Sequence, residues 1–128
     1  MRKSLALVGL ACLLTAVSVS AHAPKSLDTE FDTETHLLTV TVYHGVKDAA
    51  KHYVDKLEVE LNGEKVVEQS FGSQPDLEKQ AALYMIADAK VGSKIKVVAH
   101  CNISGKKSHT IEVKEKVKPK EEDKGKGE

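Results

Sequence analysis

Two imidazoles and one thiol fall where strand-like patterns begin and end. His44 closes the alternating run at residues 36–44 (HLLTVTVYH), and His52 opens the next run, residues 52–61 (HYVDKLEVEL). Cys101 ends a third run, residues 94–101 (KIKVVAHC). Imidazole nitrogen and thiolate sulfur are borderline-to-soft donors, suited to iron, zinc, copper or cobalt and not to calcium or magnesium. Three such groups at strand ends point to a metal site on a small β scaffold. Such a site binds best above the free imidazole pKa, near ~6.5, where the ring nitrogens carry no competing proton. A bound ion would lower the thiol pKa in turn.

The availability of these donors depends on the start of the chain. Arg2 and Lys3 precede an apolar run, residues 5–17, and small residues follow through Ser18, Ser20 and Ala21. This has the form of a secretory signal peptide, too short and wrongly flanked for a membrane span. Residues 19–21 and 21–23 both offer a small-x-small cleavage pattern. Pro24 makes the second a poor substrate geometry, so cleavage after Ala21 is favoured, with Ala23 the alternative. Cleavage after Ala21 makes His22 the mature N-terminus, where its ring and α-amine together would chelate copper. Residues 22–128 then form one exported chain, periplasmic or extracellular, with no membrane span. Losing Arg2 and Lys3 and no acid leaves a net charge of −2. With no basic excess, nucleic acid and anionic lipid are not expected partners.

Cysteine counting sharpens the thiol. The chain has two cysteines, and Cys12 leaves with the leader. Cys101 therefore has no internal disulfide partner. In an oxidising compartment it must be buried, paired with another molecule or bound to something. A small buried core residue is the plain alternative.

The elements that must position these groups read as strands. Residues 26–32 alternate, and residues 32–35 form a polar turn. In residues 36–44, Leu38, Val40 and Val42 share one face, which His44 continues. In residues 52–61, Tyr53, Leu57, Val59 and Leu61 share a face, with Tyr53 expected in the core. Asn62-Gly63 is a strong hairpin signal, because both residues accept positive φ. Residues 65–71 return as its partner strand, and residues 72–78 form a loop. Residues 80–87 fit a short helix by propensity or a strand by alternation; strand is preferred beside strand neighbours. Residues 94–101 place Ile95, Val97, Ala99 and Cys101 on one face, with His100 on the other. Residues 108–113 form a last strand. Residues 114–128 are almost wholly charged and are expected to be a disordered tail.

Seven short strands without a firm helix predict an all-β, immunoglobulin-like antiparallel sandwich. The expected core is Leu38, Val40, Val42, Leu57, Val59, Leu61, Ile95 and Val97. His36, His100 and His109 read as surface histidines, although His109 could serve as a substitute ligand. Paired carboxylates at a convincing spacing and a nucleophile elbow are both missing, which argues against a hydrolase.

The segments His44…Lys51-His52-Tyr53-Val54, Leu57-Glu58-Val59, Asn62-Gly63-Glu64 and Cys101-Asn102-Ile103-Ser104-Gly105 together resemble the iron domain of superoxide reductases, the group that includes desulfoferrodoxin and neelaredoxin. The resemblance spans residues 36–105 and places the metal-binding domain at residues 22–113. It implies an immunoglobulin-like fold and a mononuclear, non-haem iron held by four equatorial histidines and an axial cysteine. The position opposite the cysteine is left open for superoxide. It also implies an iron(II) that passes one electron to superoxide without a bound organic cofactor. His44 and His52 correspond to the paired histidines of that family, here eight residues apart, a wider spacing than usual. Cys101 corresponds to the axial cysteine, and His22-Ala23-Pro24 to an early His-Val-Pro segment, which would make His22 a ligand. Ser104 stands where a further histidine ligand is expected, and Gly45-Val46 replaces Pro-Met. Copper and zinc are the alternatives to iron. The partners implied are superoxide or another small molecule and an electron donor that the sequence does not name. The alternative function is a periplasmic metal-binding or interaction module with an incomplete, non-catalytic site.

Overall fold

Strands form where β-branched and alternating residues favour a pleated, half-buried surface. The computed structural model describes residues 22–117. Seven strands follow in order: β1 (Ser26–Asp32), β2 (Leu37–Tyr43), β3 (Val54–Leu61), β4 (Glu64–Ser70), β5 (Lys79–Met85), β6 (Lys94–Cys101) and β7 (Lys106–Glu112). All pair antiparallel, in a three-stranded sheet β1-β2-β5 and a four-stranded sheet β4-β3-β6-β7. This is the expected immunoglobulin-like sandwich, and the ambiguous segment before Ala87 is strand β5. No helix among the described residues is long and apolar enough to cross a membrane.

Local chemistry explains the turns. Asp32 Oδ1 accepts the backbone N–H groups of Glu34 (2.8 Å) and Thr35 (3.2 Å), turning the chain between β1 and β2. Asn62 and Gly63 close the β3–β4 hairpin with φ of 50° and 88°, the left-handed pair that matches strand twist.

The two sheets enclose an aliphatic core. Leu38, Val40, Val42, Leu57, Val59, Ile95 and Val97 are fully buried, and Leu61 packs half-buried at its margin. The expectation for Tyr53 is corrected. Tyr53 is half-buried and outside the core cluster, and Val54 takes the inward position instead. A β-bulge between Val54 and Lys56 adds a residue to β3, so Val54 and Leu57 face the same way despite their odd spacing.

The antiparallel order also decides where the site lies. Ser26 at the start of β1 pairs with Tyr43 at the end of β2. Val54 at the start of β3 pairs with Cys101 at the end of β6. A single connection joins β2 to β3, so four strand ends share one rim of the sandwich. The leader expected at residues 1–21 lies outside the described residues, as does the part of the expected tail beyond residue 117. Residues 113–117 have no regular structure, and Lys116 pairs with Asp32 (3.1 Å) and Glu34 (3.6 Å).

Candidate metal centre

His44 is delivered by β2. Its side chain continues the inward face of Leu38, Val40 and Val42 and is fully buried. The backbone beyond it is fixed to the loop before β5: the His44 N–H donates to Glu78 O and the Val46 N–H to Leu77 O, both at 2.8 Å.

His52 is held by a tight turn. The N–H groups of Lys51 (3.1 Å) and His52 (2.9 Å) both donate to Asp48 O, and Asp48 Oδ1 accepts the Ala50 N–H at 3.0 Å. Asn102 clamps the same segment from the opposite strand end. Its Oδ1 accepts the Tyr53 N–H at 2.9 Å, its Nδ2 donates to Lys51 O at 2.9 Å, and its own N–H donates to Tyr53 O at 3.0 Å. The residue before Asn102 is Cys101, so one side chain ties His52 to the thiol.

His22 arrives on the arm that precedes β1. Lys25 N–H donates to Tyr43 O at 2.8 Å, and Pro24 is buried. Gly105 makes room for the arm. A Cβ built there lies 2.9 Å from Ala23 Cβ, and its φ is +80°. Glycine is therefore needed both for the turn after β6 and for the passage of the arm.

These placements bring three imidazoles together. The potential ligand atoms of His22, His44 and His52 all lie within 4.8 Å of one another. Ring centroids are 5.3 Å apart for His22–His44, 5.1 Å for His22–His52 and 4.6 Å for His44–His52, each pair edge to face. Cys101 joins through His52, whose Nε2 is 3.1 Å from Cys101 Sγ. The thiol is free and buried. Burial pushes the His52 pKa below the ordinary histidine value, and the nearby His44 and His22 rings push it the same way. A lowered pKa leaves the His52 ring free of a competing proton, the state from which imidazole binds a metal. This donor set fits iron, copper or zinc.

All four residues singled out from the sequence thus reach one rim. The other three histidines do not belong to the cluster. His36 sits with φ of 58° at the β1–β2 turn, at the opposite end of β2 from His44. His100 Nε2 lies 2.7 Å from Glu58 Oε2 on the outer face of the four-stranded sheet. His109 Nδ1 lies 3.3 Å from Thr29 Oγ1, linking β7 to β1, and does not substitute for a missing ligand. Ser104 is exposed in the turn after β6.

Two residues that support the site are not marked by the sequence periodicity. One is Asn102. The other is Gln74, in the loop between β4 and β5, which is buried against His44. Gln74 Oε1 is 2.6 Å from His44 Nδ1 and accepts the Val54 N–H at 2.9 Å. Its Nε2 donates to His44 O (3.0 Å) and Asp76 O (3.3 Å). Neither residue lies in a periodic pattern, and both act on groups distant in sequence.

No known family model matches the sequence, and no curated protein matches it. Among solved structures, a superoxide reductase of the one-iron type from Giardia intestinalis is similar. It has a TM-score of 0.55 and 14% identity, covering 72% of this chain and all of that one. At that identity the likeness is one of fold, and the chain is a distant structural relative with a superoxide-reductase-like β-sandwich.

Proposed function

We propose that this protein is exported and holds a single iron ion at His22, His44, His52 and Cys101, where it reduces superoxide. One observation carries the reading: three imidazoles and a buried thiol converge on the rim of a fold similar to that of a superoxide reductase. A bound iron would supply the one-electron couple. The chain's own residues lower the proton affinity of His52, keep the thiol largely out of solvent and leave His22 exposed at the rim.

The test is iron(II) loading of the mature protein without oxygen, followed by oxidation and by pulses of superoxide. The expected result is one iron per chain, a thiolate-to-iron charge-transfer band on oxidation, and superoxide consumption. Cys101→Ser should abolish the band. His52→Ala should weaken binding beyond the ~10–100-fold typical of losing an outer-shell partner. Failure to retain iron in the reduced protein overturns the reading. N-terminal sequencing belongs to the same test, because a chain that begins at Pro24 has lost His22.

The exposed Ser104, in place of a further imidazole, favours a second reading. In it the same four residues hold a metal without turnover. Stoichiometric iron that leaves the superoxide decay rate unchanged selects this module over the reductase.

A further inference from the structure

We propose that Gln74 sets the tautomer of His44, so that Nε2 is the atom His44 offers to a metal. The inference rests on the metal-centre reading of the same rim. It starts from a buried primary amide whose two ends are both assigned by their neighbours.

Gln74 is only 5% exposed. One end of its amide faces two carbonyl oxygens, His44 O at 3.0 Å and Asp76 O at 3.3 Å. Carbonyls only accept, so that end must be the NH2 group. The other end lies 2.9 Å from the Val54 N–H, which only donates, so that end must be the oxygen. The usual ambiguity of a glutamine amide is therefore removed by three contacts.

The consequence passes to His44. An amide oxygen cannot donate, so the His44 Nδ1, 2.6 Å away, must carry a hydrogen. A neutral imidazole has one N–H, and the short, buried contact with Gln74 claims it over the longer, part-buried contact of Nε2 with the His22 carbonyl, which leaves Nε2 bare. That nitrogen points at the His22 carbonyl oxygen, 3.2 Å away, and towards the His22 and His52 rings. Two lone pairs facing each other in a part-buried place are unfavourable unless a cation or a water hydrogen lies between or beside them. Gln74 also anchors its own loop to the connection that carries both histidines, through its N–H to Ala49 O at 3.0 Å. The side chain thus orients the ring and selects its lone pair, as an outer-shell partner of a metal-binding histidine does.

The experiment reads the tautomer in the metal-free protein by 15N resonances of the histidine rings, at about pH 8, above the ordinary imidazole pKa of ~6.5. Wild-type His44 should be in the Nδ1–H form. Gln74→Leu, which fills the same space with no acceptor, should shift it to the Nε2–H form preferred by free imidazole. The same substitution should weaken iron(II) binding by ~10–100-fold. Gln74→Glu keeps the acceptor oxygen and should keep the tautomer, with a smaller loss of affinity than the leucine variant. A general loss of stability would reduce the folded fraction without changing the tautomer within it. An Nε2–H His44 in the wild type, or an unchanged tautomer in Gln74→Leu, overturns the proposal. Wild-type protein with the Nδ1–H tautomer but without iron(II) binding would overturn the metal centre and confirm the tautomer assignment. The two failures are therefore distinct.

Discussion

Asn102 shows how a single side chain can hold a site without belonging to it. It bonds Lys51 O and the Tyr53 N–H on either side of His52, immediately after Cys101. Asn102→Ala should strand the Tyr53 N–H in a half-buried place, at a cost of ~1–3 kcal/mol. Urea unfolding of the metal-free protein checks this, and iron(II) titration should show weaker binding as His52 loosens. At this scale the clustered histidines and the thiol were legible but their supports were not. His44 and Cys101 extend inward faces of period two, so their direction follows from their neighbours on the strand. Gln74 and Asn102 act across 30 and 49 residues of chain, and nothing periodic marks them. Tyr53 was misplaced for a related reason: the bulge at the start of β3 breaks the alternation from which its direction was read.

Elements bring the residues to one rim, and two substitutions separate this effect from simple strain. Gly105 and Gly92 have similar positive φ, +80° and +90°. A Cβ at Gly92 meets nothing within 4 Å, whereas one at Gly105 meets Ala23 Cβ at 2.9 Å. Both alanine variants should lose roughly 1 kcal/mol or more of stability from the left-handed backbone. Only Gly105→Ala should also weaken metal binding, because it displaces the arm that carries His22. Parallel thermal melts and metal titrations check the pair.

On the outer face of the four-stranded sheet, Glu58 of β3 bonds Lys65 of β4 at 3.0 Å and His100 of β6 at 2.7 Å. The Lys65 and His100 hydrogen bonds bring its pKa from 4.5 down to about 2. The unfolded chain therefore binds more protons than the folded one between these values. The stabilisation is present above pH 4.5 and lost as pH falls through about 2. Solvent screening at this largely surface site keeps the effect small. Glu58→Gln should flatten the acid limb of stability measured by denaturant unfolding at a series of pH values.

For the whole molecule, an aliphatic sandwich with no disulfide among the described residues gains a cross-link if an ion joins the N-terminal arm, β2, the β2–β3 connection and β6. Binding to the folded state alone stabilises it by about 2.7 kcal/mol at a free metal concentration ~100-fold above Kd. The melting temperature should therefore rise with added iron(II) and fall back on chelation. The rise should vanish in His44→Ala, whose own baseline must be measured because His44 is buried. Sequence alone determined the strands, the Asn62-Gly63 hairpin and the inward direction of His44 and Cys101. Each is set by neighbours a few residues away, through side-chain alternation or the φ that a turn demands. Tertiary structure decided that four strand ends share a rim, that Val54 replaces Tyr53 in the core, and that Gln74 and Asn102 brace the histidines. Those outcomes depend on strand pairing, a bulge and buried hydrogen bonds between distant segments, and become definite only when the two sheets close on each other.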